Sequence, residues 1–150
     1  MTLEILKIRK ELRDLVDAYA YLGDDKKISE QTNLFTADTI YKVYMGDFLA
    51  ANVSGRKNIE TEFSGHASHV KTYFTLNGQH TVEIDADTDT AAATGVSYSQ
   101  IKMVREIEGK DILSDYSVRY DDKYVNQNGK WLIKERVGYF ILVEVRQLNN

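Results

Sequence analysis

Tyr120–Ile133 reads YDDKYVNQNGKWLI, and Asn128-Gly129 at its centre is the strongest turn signal in the chain. Asn and Gly both tolerate positive φ, so this pair between β-prone runs predicts a tight hairpin. Working backwards, Asp115 to Val125 reads as its first strand. Glu108-Gly109 turns that strand from another around Thr94 to Val104. Before it, Val82 and Ile84 alternate with polar residues and end at an acidic turn, Asp85 to Asp89. Forwards, the last strand starts at Trp131 and runs through the apolar block Tyr139 to Val143. Consecutive hairpins make an antiparallel sheet, in which side chains alternate between two faces.

The N-terminal third has a different period. Ile5, Ile8, Leu12, Leu15, Val16 and Tyr19 recur at spacings of three and four, which predicts an amphipathic helix. Gly23 interrupts it, and Asp24 or Asp25 can cap a second, shorter helix carrying Ile28, Leu34 and Phe35. Thr39 to Tyr44 is β-branched and aromatic, a short strand. Ser54 can cap a third helix with Ile59 and Phe63 one turn apart on its buried side. Helices ahead of the hairpins, rather than between them, predict a single α+β domain over residues 1–150 and not a doubly wound α/β fold.

Composition narrows the function classes. Hydrophobic residues make up 43% and charged residues 28% of the 150, the balance of a soluble globular domain. Net charge is −4 with no basic run, which argues against nucleic acid or an anionic membrane as partner. Charges interrupt the apolar residues of Met1 to Asp14, so no signal peptide is expected there. The absence of cysteine excludes disulfides, thiolate metal sites and cysteine nucleophiles, and fits a cytoplasmic setting. Ten tyrosines against one tryptophan suit pocket walls and interfaces, and equally suit strands. Asp85, Asp87 and Asp89 alternate like the start of a calcium loop. Thr90 and Val96 stand where its glycine and bidentate glutamate belong, so an acidic hairpin loop is expected instead. No phosphate loop or metal-ligand spacing is present, and neither cofactor nor metal is expected.

Several local patterns fall into one order: Tyr19-Ala20-Tyr21-Leu22-Gly23-Asp24, Leu34-Phe35-Thr36-Ala37-Asp38, Gly55 with Ile59, and Gly78-Gln79-His80 with Val82-Glu83-Ile84-Asp85. Tyr120 to Val125, Gly129 to Ile133 and Arg136 complete the series. Together they resemble the SnoaL-like branch of the nuclear transport factor 2-like superfamily, nearest in pattern to scytalone dehydratase and hexachlorocyclohexane dehydrochlorinase. The resemblance spans nearly the whole chain and implies a cone: helices close the wide mouth of a strongly curved sheet around a largely apolar pocket. It also implies a homodimer through the outer sheet face, and a small hydrophobic molecule as ligand.

The dehydratase-like members use an aspartate–histidine pair, the histidine abstracting a proton from carbon while the aspartate orients it. Asp24 matches the aspartate, with a helix N-cap as the alternative role for that side chain. The histidine position falls on Thr75, whose hydroxyl is no base near neutral pH. His80 lies an odd five residues along the same strand, on the opposite face unless a bulge intervenes at Asn77-Gly78. The local sequence there reads as a turn; the resemblance implies one continuous strand. His69 has the right parity but lies roughly 20 Å away along extended chain. His66 falls on or just after the third helix.

The resemblance further implies Tyr19, Tyr41, Tyr73, Tyr120 and Arg136 as pocket residues beside Thr75. Ordinary core packing is the alternative for each tyrosine. Arg136 calls for Asp24, Asp122 or an anionic ligand group as partner, since arginine is rarely buried alone. A three-residue turn at Asn128-Gly129 would pair Tyr120 with Arg136; a two-residue turn would put them on opposite faces. Two functions remain open. One is a cofactor-independent lyase or isomerase with Asp24 as acid or base; the other is a non-catalytic ligand-binding or dimeric association module.

Overall fold

In a computed structural model, residues 2–85 and 91–149 are described. Asp87, Asp89 and Thr90 of the acidic turn lie outside them. The elements are α1 (Leu3–Asp24), α2 (Ile28–Thr32), β1 (Phe35–Met45), β2 (Phe48–Ser54), α3 (Arg56–Ala67), β3 (Thr72–Asp85), β4 (Ala92–Ile107), β5 (Lys110–Gln127) and β6 (Lys130–Gln147). The six strands form one sheet in the order β2-β1-β6-β5-β4-β3. It is curled rather than closed, and the helices pack into its concave side.

The expected α+β cone is present. The sheet departs from the antiparallel expectation at one seam, where β1 runs parallel to β6, with Tyr41 opposite Arg136. That seam arises because β1 and β2 form a hairpin between α2 and α3, turning at Gly46 with φ 59°. The short strand expected at Thr39 to Tyr44 is therefore longer and begins at Phe35, which belongs to β1 and not to the second helix.

The Asn128-Gly129 turn has two residues with φ of 56° and 86°, the primed turn that suits twisted strands. Two residues would place Tyr120 and Arg136 on opposite faces. A bulge reverses that outcome: the register shifts between Lys123 and Tyr124, with Lys134 the extra residue in β6. Arg136 consequently opposes Asp122 and Tyr120 opposes Gly138, so both side chains point inward. Further shifts fall between Asn77 and His80 in β3 and between Val43 and Tyr44 in β1. Each adds local twist and bends its strand, which is how a flat pattern of hairpins becomes a cone.

The core lies between α1 and the sheet. Leu12, Leu15, Val16 and Tyr19 form the buried stripe of α1 and meet Phe35, Ile59, Tyr124, Trp131 and Ile133. α1 continues through Gly23 and ends at Asp24, so Gly23 does not break it. Instead it leaves room for α2: a Cβ there would stand 2.6 Å from the Gln31 Nε2, which donates to the Tyr19 carbonyl. The expected caps are also displaced. Lys27 and Gly55, neither with a side-chain capping bond, precede α2 and α3, where Asp24 or Asp25 and Ser54 had been expected.

Candidate functional site

Asp24, at the last turn of α1, reaches across to β3. Its Oδ2 accepts from the Thr75 backbone N–H at 2.8 Å, and its Oδ1 accepts from the Thr75 hydroxyl at 2.7 Å. Each carboxylate oxygen thereby takes one Thr75 donor, a two-point clamp that fixes the orientation of the side chain. The side chain is half-buried and borders a cavity of about 350 Å³ between the helices and the inner sheet face. A volume of this order suits a small organic molecule. Asp24 is thus a wall residue of the cavity and not a helix N-cap.

All the residues expected from the resemblance border this cavity: Tyr19, Asp24, Tyr41, Tyr73, Thr75, Tyr120 and Arg136. They come from five elements, and alternation explains their convergence. Tyr73, Thr75 and Asn77 share the inner face of β3, and Ser99 meets Asn77 from β4, donating to its Oδ1 at 3.0 Å. Asn77 in turn donates to the Asp17 carboxylate at 2.9 Å, which fastens β3 to α1.

One wall is aromatic. Tyr19 packs edge-to-face against Phe35, Phe63 and Tyr120, and Tyr41 against Phe63 at a centroid distance of 5.1 Å. Burial pushes the Tyr19, Tyr41 and Tyr120 hydroxyls well above the ordinary tyrosine range. They are neutral donors at any physiological pH.

Beneath this wall lies the Arg136 guanidinium, 2% exposed, 4.3 Å from the Tyr19 ring centroid and 3.9 Å from that of Tyr120. Of its three candidate partners it takes Asp122, through Nε at 2.8 Å and Nη2 at 2.9 Å. Burial alone would favour a neutral guanidine, but the Asp122 charge and hydrogen bonds, together with Tyr19 and Tyr120, outweigh it and hold Arg136 protonated. Its charge is balanced inside the protein by Asp122, and its side chain floors the cavity. Tyr124 donates to the Asp122 Oδ2 at 2.8 Å, and its hydroxyl lies 3.0 Å from His80 Nε2. Since Tyr124 is the donor to Asp122, its oxygen accepts from His80. Gly95 makes room for this chain: a Cβ there would stand 2.7 Å from the Tyr124 ring and 3.2 Å from His80 Nε2.

The histidines divide. His80 is brought to the inner face by the bulge at Gly78-Gln79, but it serves Tyr124 rather than the Asp24 clamp. His69 is exposed and does not border the cavity. His66, in the last turn of α3, is at the cavity rim, with Nδ1 2.6 Å from the Tyr73 hydroxyl and Nε2 3.1 Å from Arg105 Nη2. Sequence reasoning missed this contact, and it also missed Arg105, Phe63, Asn77 and Ser99 as wall residues. For Asn77 the signal was available, since it shares the parity of Thr75. For His66 none was, because its partners come from β3 and β4. Among the described residues no group of three or more His, Asp or Glu is placed to hold a metal ion. No helix among the described residues is long and apolar enough to cross a membrane.

A SnoaL-like domain model matches residues 4–137. The chain belongs to the SnoaL-like domain family. Among solved structures, a scytalone dehydratase-like protein from Novosphingobium aromaticivorans superposes with a TM-score of 0.80 at 20% identity, over 99% of this chain and 94% of that one. A hexachlorocyclohexane dehydrochlorinase from Novosphingobium barchaimii gives 0.76 at 12% identity, over 96% and 93%. A protein of unknown function from Mycobacterium tuberculosis gives 0.72 at 21% identity, over 98% and 75%. No curated protein matches the sequence. These likenesses establish a SnoaL-like fold, and the chemistry must be argued from this chain's own residues.

Proposed function

We propose that this SnoaL-like protein is a cofactor-independent lyase or isomerase acting on a small, largely apolar molecule, with Asp24 as the group that moves a proton. The observation that carries this reading is the Asp24 clamp: a carboxylate held by two Thr75 donors at the wall of a cavity that has an aromatic wall. Thr75 cannot take a proton from carbon, so it acts as the orienting partner and Asp24 is left as the base. Carboxylates as a class are weak bases toward a C–H bond. The substrate class follows, in that its C–H must already be activated by a neighbouring carbonyl or leaving group. The engagement of both Asp24 oxygens by Thr75 favours the second reading, a ligand-binding module that keeps the pocket without turnover.

Thermal unfolding in the presence of a panel of small cyclic ketones and phenols tests the pocket. At least one should raise the midpoint, and Asp24→Ala should diminish that rise. Stabilisation indifferent to Asp24→Ala would remove Asp24 from the site.

A homodimer through the outer sheet face belongs to the same proposal. That face exposes Phe74, Leu76, Tyr98 and Leu142, apolar side chains that a second copy would cover. Light scattering should then give a particle near twice 17.2 kDa; a particle of 17.2 kDa would remove the dimer. The absence of cysteine agrees with a cytoplasmic setting.

A further inference from the structure

Arg105, on β4, lines the cavity at its rim and takes no part in the Asp24 clamp. Arg13, Arg119, Arg136 and Arg146 each lie against a carboxylate, and Arg56 donates to the Phe35 carbonyl. Arg105 has neither kind of partner among the described residues. Its hydrogen bond is from Nη2 to His66 Nε2, at 3.1 Å. Lys71, whose N–H joins β4 at the Val104 carbonyl, is occupied by Asp111 at 3.1 Å. A permanent positive charge on a cavity wall is thus left without an anion from the protein.

His66 fixes the direction of that charge. Arginine only donates, so His66 Nε2 accepts, and the neutral imidazole carries its proton on Nδ1, 2.6 Å from the Tyr73 hydroxyl oxygen. Burial first, then Arg105 and His69, hold His66 below its usual range, with Glu62 in opposition, which keeps the ring an acceptor at neutral pH. The Arg105 Nε is buried without a hydrogen-bond partner, whereas Nη1 has no partner among the described residues and is not buried. Nη1 and the second Nη2 hydrogen therefore remain free. They are parallel, coplanar donors at the spacing of two carboxylate oxygens.

We propose that Arg105 is an anion receptor at the rim of the cavity, with His66 as its positioning residue, and that the ligands are small monocarboxylates with an apolar ring. This rests on the cavity being the ligand site, and it holds whether or not Asp24 moves a proton. One unpaired guanidinium balances one negative charge. Asp24 and Glu62 also border the cavity, so a dianion such as a phosphate monoester would be repelled. Length sets the size of the ring. Ile101 pairs with Thr75, and Arg105 stands two pleats further along β4, roughly 13 Å of extended strand. The Arg105 and Asp24 side chains span part of that distance, and a benzene ring substituted at opposite ends fits the remainder. The carboxylate then lies at the rim and the ring lies against the aromatic wall, with the far substituent toward Asp24.

The test is calorimetric titration with two probes of one shape, 4-acetylbenzoate and its neutral counterpart 4-acetylbenzamide. The unaltered protein should prefer the carboxylate. Arg105→Met should lower carboxylate affinity roughly 10- to 100-fold, the range for hydrogen bonds to a charged group, and leave amide affinity nearly unchanged. Amide binding thereby reports that the variant is folded and its cavity intact. His66→Ala should reduce the carboxylate-to-amide ratio by a smaller factor, and should add nothing once Arg105→Met is present. Equal affinity for both probes in the unaltered protein would overturn the anion receptor while leaving the cavity as a ligand site. A preference that survives Arg105→Met, or a loss shared equally by both probes, would overturn the assignment to Arg105. Binding of neither probe would overturn the pocket reading and this inference together. A His66→Ala effect undiminished in the Arg105→Met background would show that His66 does not act through Arg105.

Discussion

Asp122→Ala is expected to destabilise the protein by about 3–5 kcal/mol, the cost of leaving a buried charge without its partner. Arg136 is 2% exposed and Asp122 3% exposed, and the pair is joined by two hydrogen bonds at 2.8 and 2.9 Å. Removing the carboxylate leaves the guanidinium between the Tyr19 and Tyr120 rings, whose quadrupoles offset only part of the loss. Tyr124 loses its acceptor as well. For a domain of this size the thermal midpoint should fall by roughly 6 to 20 °C. The paired change Asp122→Leu with Arg136→Met should recover most of it, since an ion pair replaced by apolar residues is often neutral. A loss under about 1 kcal/mol in a urea titration of Asp122→Ala would contradict the single-partner account of Arg136.

The second large effect is on chemistry. Asp24→Asn keeps the shape of the side chain and removes its capacity to take a proton. The Thr75 N–H still has a carbonyl oxygen to meet, so the fold should tolerate the change, and any turnover should fall by roughly 10² to 10⁴. Thr75→Val, by contrast, would remove one of the two bonds that aim the carboxylate while leaving the backbone N–H in place.

How far the sequence carries these conclusions varies by element. The β3–β6 hairpins were legible because alternation and two Asn/Glu-Gly turns encode them locally; Glu108 and Gly109 have φ of 52° and 78°, as such a turn requires. The β1–β2 hairpin was not, because Phe48–Ser54 is mostly exposed and shows no clear apolar alternation. The bulge at Lys134 has no local signature. It is set by tertiary packing, which brings Arg136 to Asp122, and it decided which face Arg136 shares with Tyr120. Asp24 could be placed near Thr75 from the resemblance and strand parity, but the two-point clamp could not. His66 was illegible for a related reason: its role comes from a rim where α3, β3 and β4 meet, and no sequence period connects them.

Proton transfer at carbon by Asp24 is the centre of this account. Its most direct test is proton NMR of 1-indanone incubated with the protein in D₂O, following loss of the signal from the hydrogens beside the carbonyl. The account predicts exchange faster than in buffer with the unaltered protein, and a fall of roughly 10² to 10⁴ toward the buffer rate with Asp24→Asn. Exchange equally fast with Asp24→Asn, or no exchange above buffer with the unaltered protein, would contradict it.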